Sequence, residues 1–349
     1  MKKIKLGMIG CGFIRPQHMS GLFDEAPDVE VVAACDLMPD RLKAFCERYG
    51  ARGYKSPVDL FKKSGVDAVS IAIKPEEAKV HLSMEAMALG IHVLAEKPMA
   101  LTVREARDMA ATCRRTGQVL QIAFNRRFEL MYQKAVAIIQ DRETFGEVAN
   151  VTAVFESPGS YPYVTFMSQA PHTFDLLQYL AGRVSSIRSV TRRAFDLALF
   201  KQQQKALGHP SEVAYNSKEQ GLVGINVACT LKFGSGAVGT LQYVTGASAG
   251  ALTGDRFEIL GTKQRTVVLE GMDRMRVIEK DGVEQCLTSS SWCRKVSSYG
   301  LEYCHFADCI RGARPTVLKL DDAVSSVCLY EAFLKSLHTE ESVAVDAVK

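Results

Sequence analysis

The chain predicts an α/β protein in two parts. The first is a parallel sheet with helices on both faces; the second is α+β, built on a large, mostly antiparallel open sheet. Three observations predict this. Strand-like apolar runs alternate with helix-spaced segments over roughly the first 125 residues, a glycine turn follows the first run, and strand-like runs with short, often glycine-rich connections dominate after residue 145.

Residues 3–9 form a short apolar run that ends in glycines, and 29–35 a β-branched run that ends at Asp36. Runs at 66–73, 91–95 and 118–124 follow, the first ending at Lys74-Pro75 and the second at Glu96-Lys97-Pro98. Between them, segments 39–49, 76–89 and 102–116 have helical spacing. A helix-like stretch at 129–142 then leads into strand-like runs at 147–156, 184–194, 223–233, 237–245, 257–269 and 274–287. A helix at 169–181 interrupts them, and an amphipathic helix at 321–337 comes late. Two domains are expected, 1–124 and 125–349, and the polar, unpatterned stretch 198–221 reads as a long surface loop.

At 349 residues, 47% of them hydrophobic, the chain can bury a core in each domain. Its net charge of +4 comes from 43 basic and 39 acidic residues without a dense basic block, which argues against nucleic-acid or membrane-surface partners. No apolar run approaches the roughly 18–20 residues of a membrane span. Met1-Lys2-Lys3 opens a buried strand and glycine turn rather than a secretion signal, so a cytoplasmic protein is expected. Ten cysteines include no CxxC pair, and Cys304, His305 and Cys309 fit no zinc pattern. They read as buried groups on a helix, and no metal is expected.

The strongest local signal is G-C-G-F-I-R at residues 10–15, with Pro16 in the first turn of the helix that follows. Gly10 permits a tight turn, Gly12 lets backbone approach a pyrophosphate, and the helix start at Phe13, Ile14 and Arg15 offers N–H groups and partial positive charge. This is a Rossmann dinucleotide site. Arg15 stands where glycine or alanine normally allows close helix–strand packing; it is either a surface arginine or a phosphate contact. Asp36 ends the second run, placed to accept hydrogen bonds from the adenosine ribose and to repel a 2′-phosphate. NAD is therefore expected over NADP, with Arg41 and Arg15 as the residues that speak for the phosphate. Lys74 and Pro75, with Glu96 and Lys97, complete the candidate cofactor set.

The stretch A-L-G-I-H-V-L-A-E-K-P-M-A at 88–100 closely resembles the glucose–fructose oxidoreductase / inositol dehydrogenase family, Gfo/Idh/MocA. Further matching blocks lie at 10–18, 73–81, 125–128 (N-R-R-F), 172–182 (H-T-F-D-L-L-Q-Y-L-A-G), 305–312 and 331–337, so the resemblance spans essentially the whole chain. It implies a Rossmann domain followed by an α/β domain with a large open sheet. It also implies assembly into homodimers or homotetramers, and hydride transfer between a nicotinamide cofactor and a sugar, polyol or related compound.

Oxidation of a secondary alcohol requires removal of the hydroxyl proton as hydride leaves, a task for a lysine poised near neutrality or a histidine. The resemblance assigns Lys97 as hydrogen-bond partner or base, suggests a cis peptide before Pro98, and marks His172 as the active-site histidine. Asp175, three residues on, shares roughly one helix face with His172 and reads as an orienting or cofactor-side group. Ser168 stands where many relatives carry an aspartate, which removes a negative charge that would raise the basicity of His172. Asn125, Arg126 and Arg127 are expected to face the interdomain cleft, where an arginine either binds substrate or pairs with a carboxylate. Asn125, Arg126, Ser168, His172 and Asp175 are the substrate-binding candidates, and Tyr161, Pro162 and Tyr163 precede the catalytic helix. His81 and His92 read as structural. Two other functions keep the same cofactor site: a redox-neutral glycosidase or epimerase with tightly held NAD, and a non-catalytic dinucleotide sensor.

Overall fold

The computed structural model describes residues 2–12, 14–157, 169–191, 198, 226–245, 254–288 and 297–347. Its first sheet is six-stranded, in the order β3-β2-β1-β4-β5-β6. These strands are β1 (Ile4–Ile9), β2 (Val29–Cys35), β3 (Arg52–Tyr54), β4 (Ala68–Ile71), β5 (His92–Glu96) and β6 (Leu120–Ala123). Every pairing is parallel. All residues of β4 and β6 are buried, Ser70 and Gln121 included, so these strands lack the in–out alternation of a half-exposed strand. The crossovers are α1 (Arg15–Glu25), α2 (Pro39–Tyr49), α3 (Pro57–Lys63), α4 (Glu76–Ala88) and α5 (Val103–Thr116). A capping box of Thr102 and Glu105 starts α5, and Gly117, with a positive φ, ends it. Strand order reverses between β1 and β4, and ligands of such sheets bind outside the carboxyl ends of the strands at that reversal.

The second sheet has nine strands, in the order β14-β13-β12-β11-β7-β10-β9-β8-β15. They are β7 (Val148–Ser157), β8 (Val184–Thr191), β9 (Val227–Phe233), β10 (Val238–Thr245), β11 (Gly254–Gly261), β12 (Thr266–Glu270), β13 (Arg274–Ile278), β14 (Glu284–Thr288) and β15 (Ser342–Ala344). Among the described residues only β7 and β10 pair in parallel; the other pairs are antiparallel. Burial alternates cleanly along β9, with Val227, Cys229, Leu231 and Phe233 inside and Ala228, Thr230 and Lys232 outside. The inner face is covered by α6 (Leu130–Gln140) and α7 (Ala170–Ala181), and aromatic rings join it to the late helix. Phe174 of α7 meets Phe333 edge-on at 5.2 Å, and Tyr243 of β10 lies 5.8 Å from Phe333. Each such pair contributes about 0.5–1.5 kcal/mol beyond its buried area.

The runs 257–269 and 274–287 are hairpins rather than single strands. Residues 262–265 turn between β11 and β12, and Asp281-Gly282 turns between β13 and β14 with Gly282 at φ 84°. Both breaks are polar in the sequence, Thr262-Lys263-Gln264-Arg265 and Glu279-Lys280-Asp281-Gly282, and each run joins two strands across one of them. The stretch 199–221 lies outside the described residues.

The chain divides into two compact units, Met1–Phe128 with Lys295–Val324, and Glu129–Arg294 with Ser325–Lys349. The helix α8 (Ser298–Ile310) thus groups with the Rossmann sheet, whereas a single cut after residue 124 leaves it with the later residues. It crosses α1 so closely that a Cβ on Gly21 would lie 2.5 Å from the nitrogen of Gly300. Glu25 accepts hydrogen bonds at 2.7 Å from the backbone and hydroxyl of Ser297 at one end, and Arg311 pairs with Asp28 at 2.9 Å at the other. The last helix, α9 (Leu320–Thr339), passes from the first unit into the second.

Candidate active site

The glycine turn is held from both sides. Gly10 donates to the carbonyl of Cys35 at 2.8 Å and has φ +89°, and a Cβ there would stand 2.3 Å from the carbonyl oxygen of Ala72. Only glycine fits. Asp36 accepts from the N–H of Cys11 at 2.6 Å through Oδ2 and from that of Met38 at 2.8 Å through Oδ1. A carboxylate oxygen has a second lone pair, so these bonds leave acceptor capacity for a diol. At Gly12 the nearest atom to a built Cβ is Nη1 of Arg41, 3.9 Å away, so the backbone there is open to close approach. Arg15 and Pro16 open α1, and its N-cap, Ile14, offers no side-chain cap. Open backbone, an uncapped helix start and a carboxylate at the end of β2 fit a dinucleotide. Leu37 and Met38, 85% and 52% exposed, add apolar surface beside Asp36. Phe13 and the side chain of Arg15 lie outside the described residues.

At the carboxyl end of β5, Glu96 carries the centre of a buried polar chain. Its Oε1 lies 2.7 Å from Nε2 of His18, which is 0% exposed, and its Oε2 accepts from the N–H of Lys97 at 3.1 Å. Nδ1 of His18 lies 2.9 Å from the hydroxyl of Tyr303, itself 3.0 Å from that of Ser70. A carboxylate only accepts, which places a proton on Nε2 of His18. Burial, the largest influence, pushes the Glu96 carboxyl up, but the His18 hydrogen bond and the charges of His18, Lys97 and Lys79 together outweigh it and hold it at about 2. Glu96 is ionised at every working pH. Burial pushes the Lys97 amine below its ordinary value; Glu96 opposes this, and Lys79 and Arg126 add to it. The peptides Lys97-Pro98 and Lys74-Pro75 are both cis, the second without any expectation from the sequence.

Beside this chain, Glu76 bridges two lysines. Its Oε1 pairs with Lys74 and its Oε2 with Lys79 at 2.6 Å. Lys79 is fully enclosed and also donates to the carbonyls of Glu96, at 2.6 Å, and of Pro98. Burial, then the charges of Lys79 and Lys97, push Lys74 down to about 7, though 30% of its side chain is exposed. Glu302, on α8, is 0% exposed, and neither of its carboxyl oxygens has a hydrogen-bond partner among the described residues. Burial and then the negative charge of Glu96 raise it well above the usual carboxylate range, so it is a neutral acid.

The first unit thus brings together Gly10, Gly12, Asp36, Lys74, Pro75, Glu96 and Lys97 at the carboxyl ends of neighbouring strands. Asn125 and Arg126 follow β6 in a short 3-10 turn. The amide of Asn125 donates to Ser298 at 3.2 Å, and Arg127 is buried with a 3.3 Å bond to the carbonyl of Val317. Both therefore tie the returning chain to the sheet. His172 and Asp175 belong to the second unit, on α7, and are 8% and 1% exposed. Ser168 and residues 161–163 lie outside the described residues. His18, Glu76, Lys79, Tyr303 and Glu302 were not singled out by the sequence. The only available signal was a polar residue recurring on a helix face, which is too common to use.

The thiol of Cys309 lies 3.3 Å from Nε2 of His305, and the N–H of Val317 donates to the same nitrogen at 3.0 Å. Burial holds that thiol up at about 11, so the pair is structural. His92 is likewise structural, accepting from the N–H of Val119 at 3.0 Å. No group of three metal-ligating side chains occurs, and no helix is long and apolar enough to cross a membrane, among the described residues.

Comparison with known proteins agrees with this geometry. Residues 4–124 match an oxidoreductase family, NAD-binding Rossmann fold, and residues 164–345 its C-terminal alpha/beta domain. The chain is 23% identical to the scyllo-inositol 2-dehydrogenase (NAD(+)) of Bacillus subtilis, over 93% of this chain and 91% of the relative. It is 24% identical to the myo-inositol 2-dehydrogenase of Thermotoga maritima over 99% of each. An oxidoreductase from Agrobacterium radiobacter, solved in complex with NAD+, L-tartaric acid and magnesium, superposes with a TM-score of 0.81 at 22% identity over 100% of both chains.

Proposed function

We infer the reaction from this premise: the chain belongs to the Gfo/Idh/MocA oxidoreductase family, whose NAD-binding Rossmann domain and C-terminal alpha/beta domain it carries in order. The reaction proposed is NAD-dependent hydride transfer at a CH–OH group of a sugar, cyclitol or related polyol. One observation carries it. Lys97, held against an ionised Glu96 at the carboxyl end of β5, has its amine pushed below the ordinary lysine range by burial. Such an amine is free of its proton, and able to take one from a hydroxyl, at a lower pH than an ordinary lysine. NAD, when bound, supplies the hydride acceptor. Gly10, Gly12 and the start of α1 would hold its pyrophosphate, and Asp36 its adenosine ribose. His172 is the second candidate for the proton and Asp175 its orienting carboxylate. The inositol dehydrogenases among the relatives support a cyclitol or sugar as substrate. Nine described cysteines, all free, support a reducing, cytoplasmic setting. Val190, Val238 and Leu260, exposed apolar side chains on strands of the nine-stranded sheet, support a homodimer or homotetramer.

The test is a panel of sugars, inositols and sugar acids with added NAD, read at the NADH absorbance band, together with the dinucleotide released on denaturing the purified protein. Turnover with one substrate class supports the dehydrogenase. Stoichiometric bound dinucleotide without NADH production favours a redox-neutral reaction, and no dinucleotide binding overturns the reading.

Asp36 carries the preference for NAD. Asp36→Ala is expected to weaken NADH binding about tenfold or more, the loss of a hydrogen bond to a charged acceptor. NADPH should suffer less, because a repelling carboxylate disappears. Fluorescence titrations with both cofactors would show this, and an unchanged ratio of affinities would sink the assignment.

A further inference from the structure

We propose that Lys79 is a positioning residue for Lys97: its enclosed side chain grips the peptide on both sides of that lysine and fixes where the Lys97 amine stands. The proposal rests on the reading of Lys97 as the proton-handling group. Lys79 reaches from α4 to the end of β5 and is 0% exposed. An ammonium has three N–H donors, and three acceptors await them: Oε2 of Glu76 at 2.6 Å, the carbonyl of Glu96 at 2.6 Å and the carbonyl of Pro98. Glu96 and Pro98 flank Lys97 in the chain. The N–H of Lys97 itself is held by the Glu96 carboxylate at 3.1 Å. Three main-chain groups around Lys97 are thus held by two side chains of opposite charge. Glu76 extends the brace, since its other oxygen pairs with Lys74 and so links the turn at 74–75 to the turn at 96–98.

A buried ammonium is a costly way to fill space. Desolvating it is tolerated only where every donor is satisfied, and a hydrophobic side chain of similar size would otherwise serve as well or better. The saturated donor set at Lys79 therefore points to placement of the peptide it grips. Its charge also reaches Lys97. Lys79 faces Glu76, Glu96, Glu105 and Lys74, and burial lowers its amine to about 7. Lys97 faces Glu96, Lys79, Arg126 and Lys74, and Lys79, while protonated, is among the charges that push the Lys97 amine down.

The test compares Lys79→Met, Lys79→Gln and Lys79→Arg with the parent. The reactivity of the Lys97 amine toward trace acetic anhydride is followed by peptide mass spectrometry from about pH 6 to about pH 11, a range that brackets ordinary and depressed lysine values. Loss of the charge in the Met and Gln variants should raise the Lys97 midpoint by about half a pH unit or more, and Lys79→Arg should bring it back. On a substrate found by the panel, kcat should fall about tenfold or more with KM and NADH affinity within about threefold, a split expected when geometry at the reacting group alone is lost. Should Lys79→Met not fold, Lys79→Gln carries the comparison. A folded Gln variant with the parental midpoint and parental kcat overturns the proposal. If Lys97→Met keeps turnover, the reading of Lys97 as the proton carrier falls. The acetylation midpoint still decides, independently, whether Lys79 sets the amine.

Discussion

Lys97→Met is expected to bind NADH with nearly parental affinity and to lose about 10²–10⁴-fold in turnover, the usual contribution of a positioned general acid or base. The methionine keeps the length and apolar stem of lysine and removes only the amine, so packing is largely conserved. The pyrophosphate cradle at Gly10 and Gly12 and the carboxylate of Asp36 lie on other strands and should be unaffected. The pH profile distinguishes chemistry from damage. In the parent, alcohol oxidation should rise with pH as the Lys97 amine loses its proton, then level off. The rise should lie below the ordinary lysine value, because burial, the largest influence, favours the uncharged amine. In the variant that rise should vanish. NADH fluorescence titration and steady-state rates across pH check both parts. A variant with parental turnover, or one with the same pH-dependent rise, would assign the proton to another group, with His172 next to be tested.

The legible parts of this molecule are those written locally. The glycine turn, the acid at the end of β2 and the turn at 96–98 each occupy a few consecutive residues, and their chemistry is fixed by backbone geometry that short motifs encode. The strand–helix alternation made the first sheet legible for the same reason. The rest depends on partners far apart in the chain. His18 meets Glu96 and Tyr303 only after α1 and α8 have packed, so a histidine inside an apolar helix face gave no sign of its role. Lys79 looks like any helix-surface lysine until α4 docks against the end of β5. Asn125 reads toward substrate because it follows a strand end, yet Ser298 engages it, and Arg127, for which a structural pairing is an equal reading, bonds to the carbonyl of Val317. No linear boundary anticipates a helix that returns to a sheet completed some 180 residues earlier.

Glu302 should control the alkaline limb of stability. Its carboxyl is fully buried, without a hydrogen-bond partner among the described residues, and is held well above the ordinary value of 4.5, first by burial and then by the charge of Glu96. In the unfolded chain it titrates near 4.5. Between 4.5 and its folded value the folded state therefore carries one more proton than the unfolded state, and stability falls as pH rises, by about 1.4 kcal/mol per pH unit. Below 4.5 both states are protonated and the penalty is absent. Glu302→Gln mimics the neutral acid at every pH and removes that slope. Parent and variant should unfold at nearly the same urea concentration near pH 4 and diverge steadily above it, the variant being the more stable at the alkaline end. Glu96 supplies an opposite control in the same experiment. Its folded value of about 2 lies below 4.5, so its contribution, roughly 3 kcal/mol, is complete above pH 4.5 and lost as pH falls through 2. That acid limb should be common to both proteins, because Glu302 is already neutral there. Parallel curves across the whole range would mean that Glu302 is ionised in the fold, with a counter-charge or water supplying the partner it otherwise lacks.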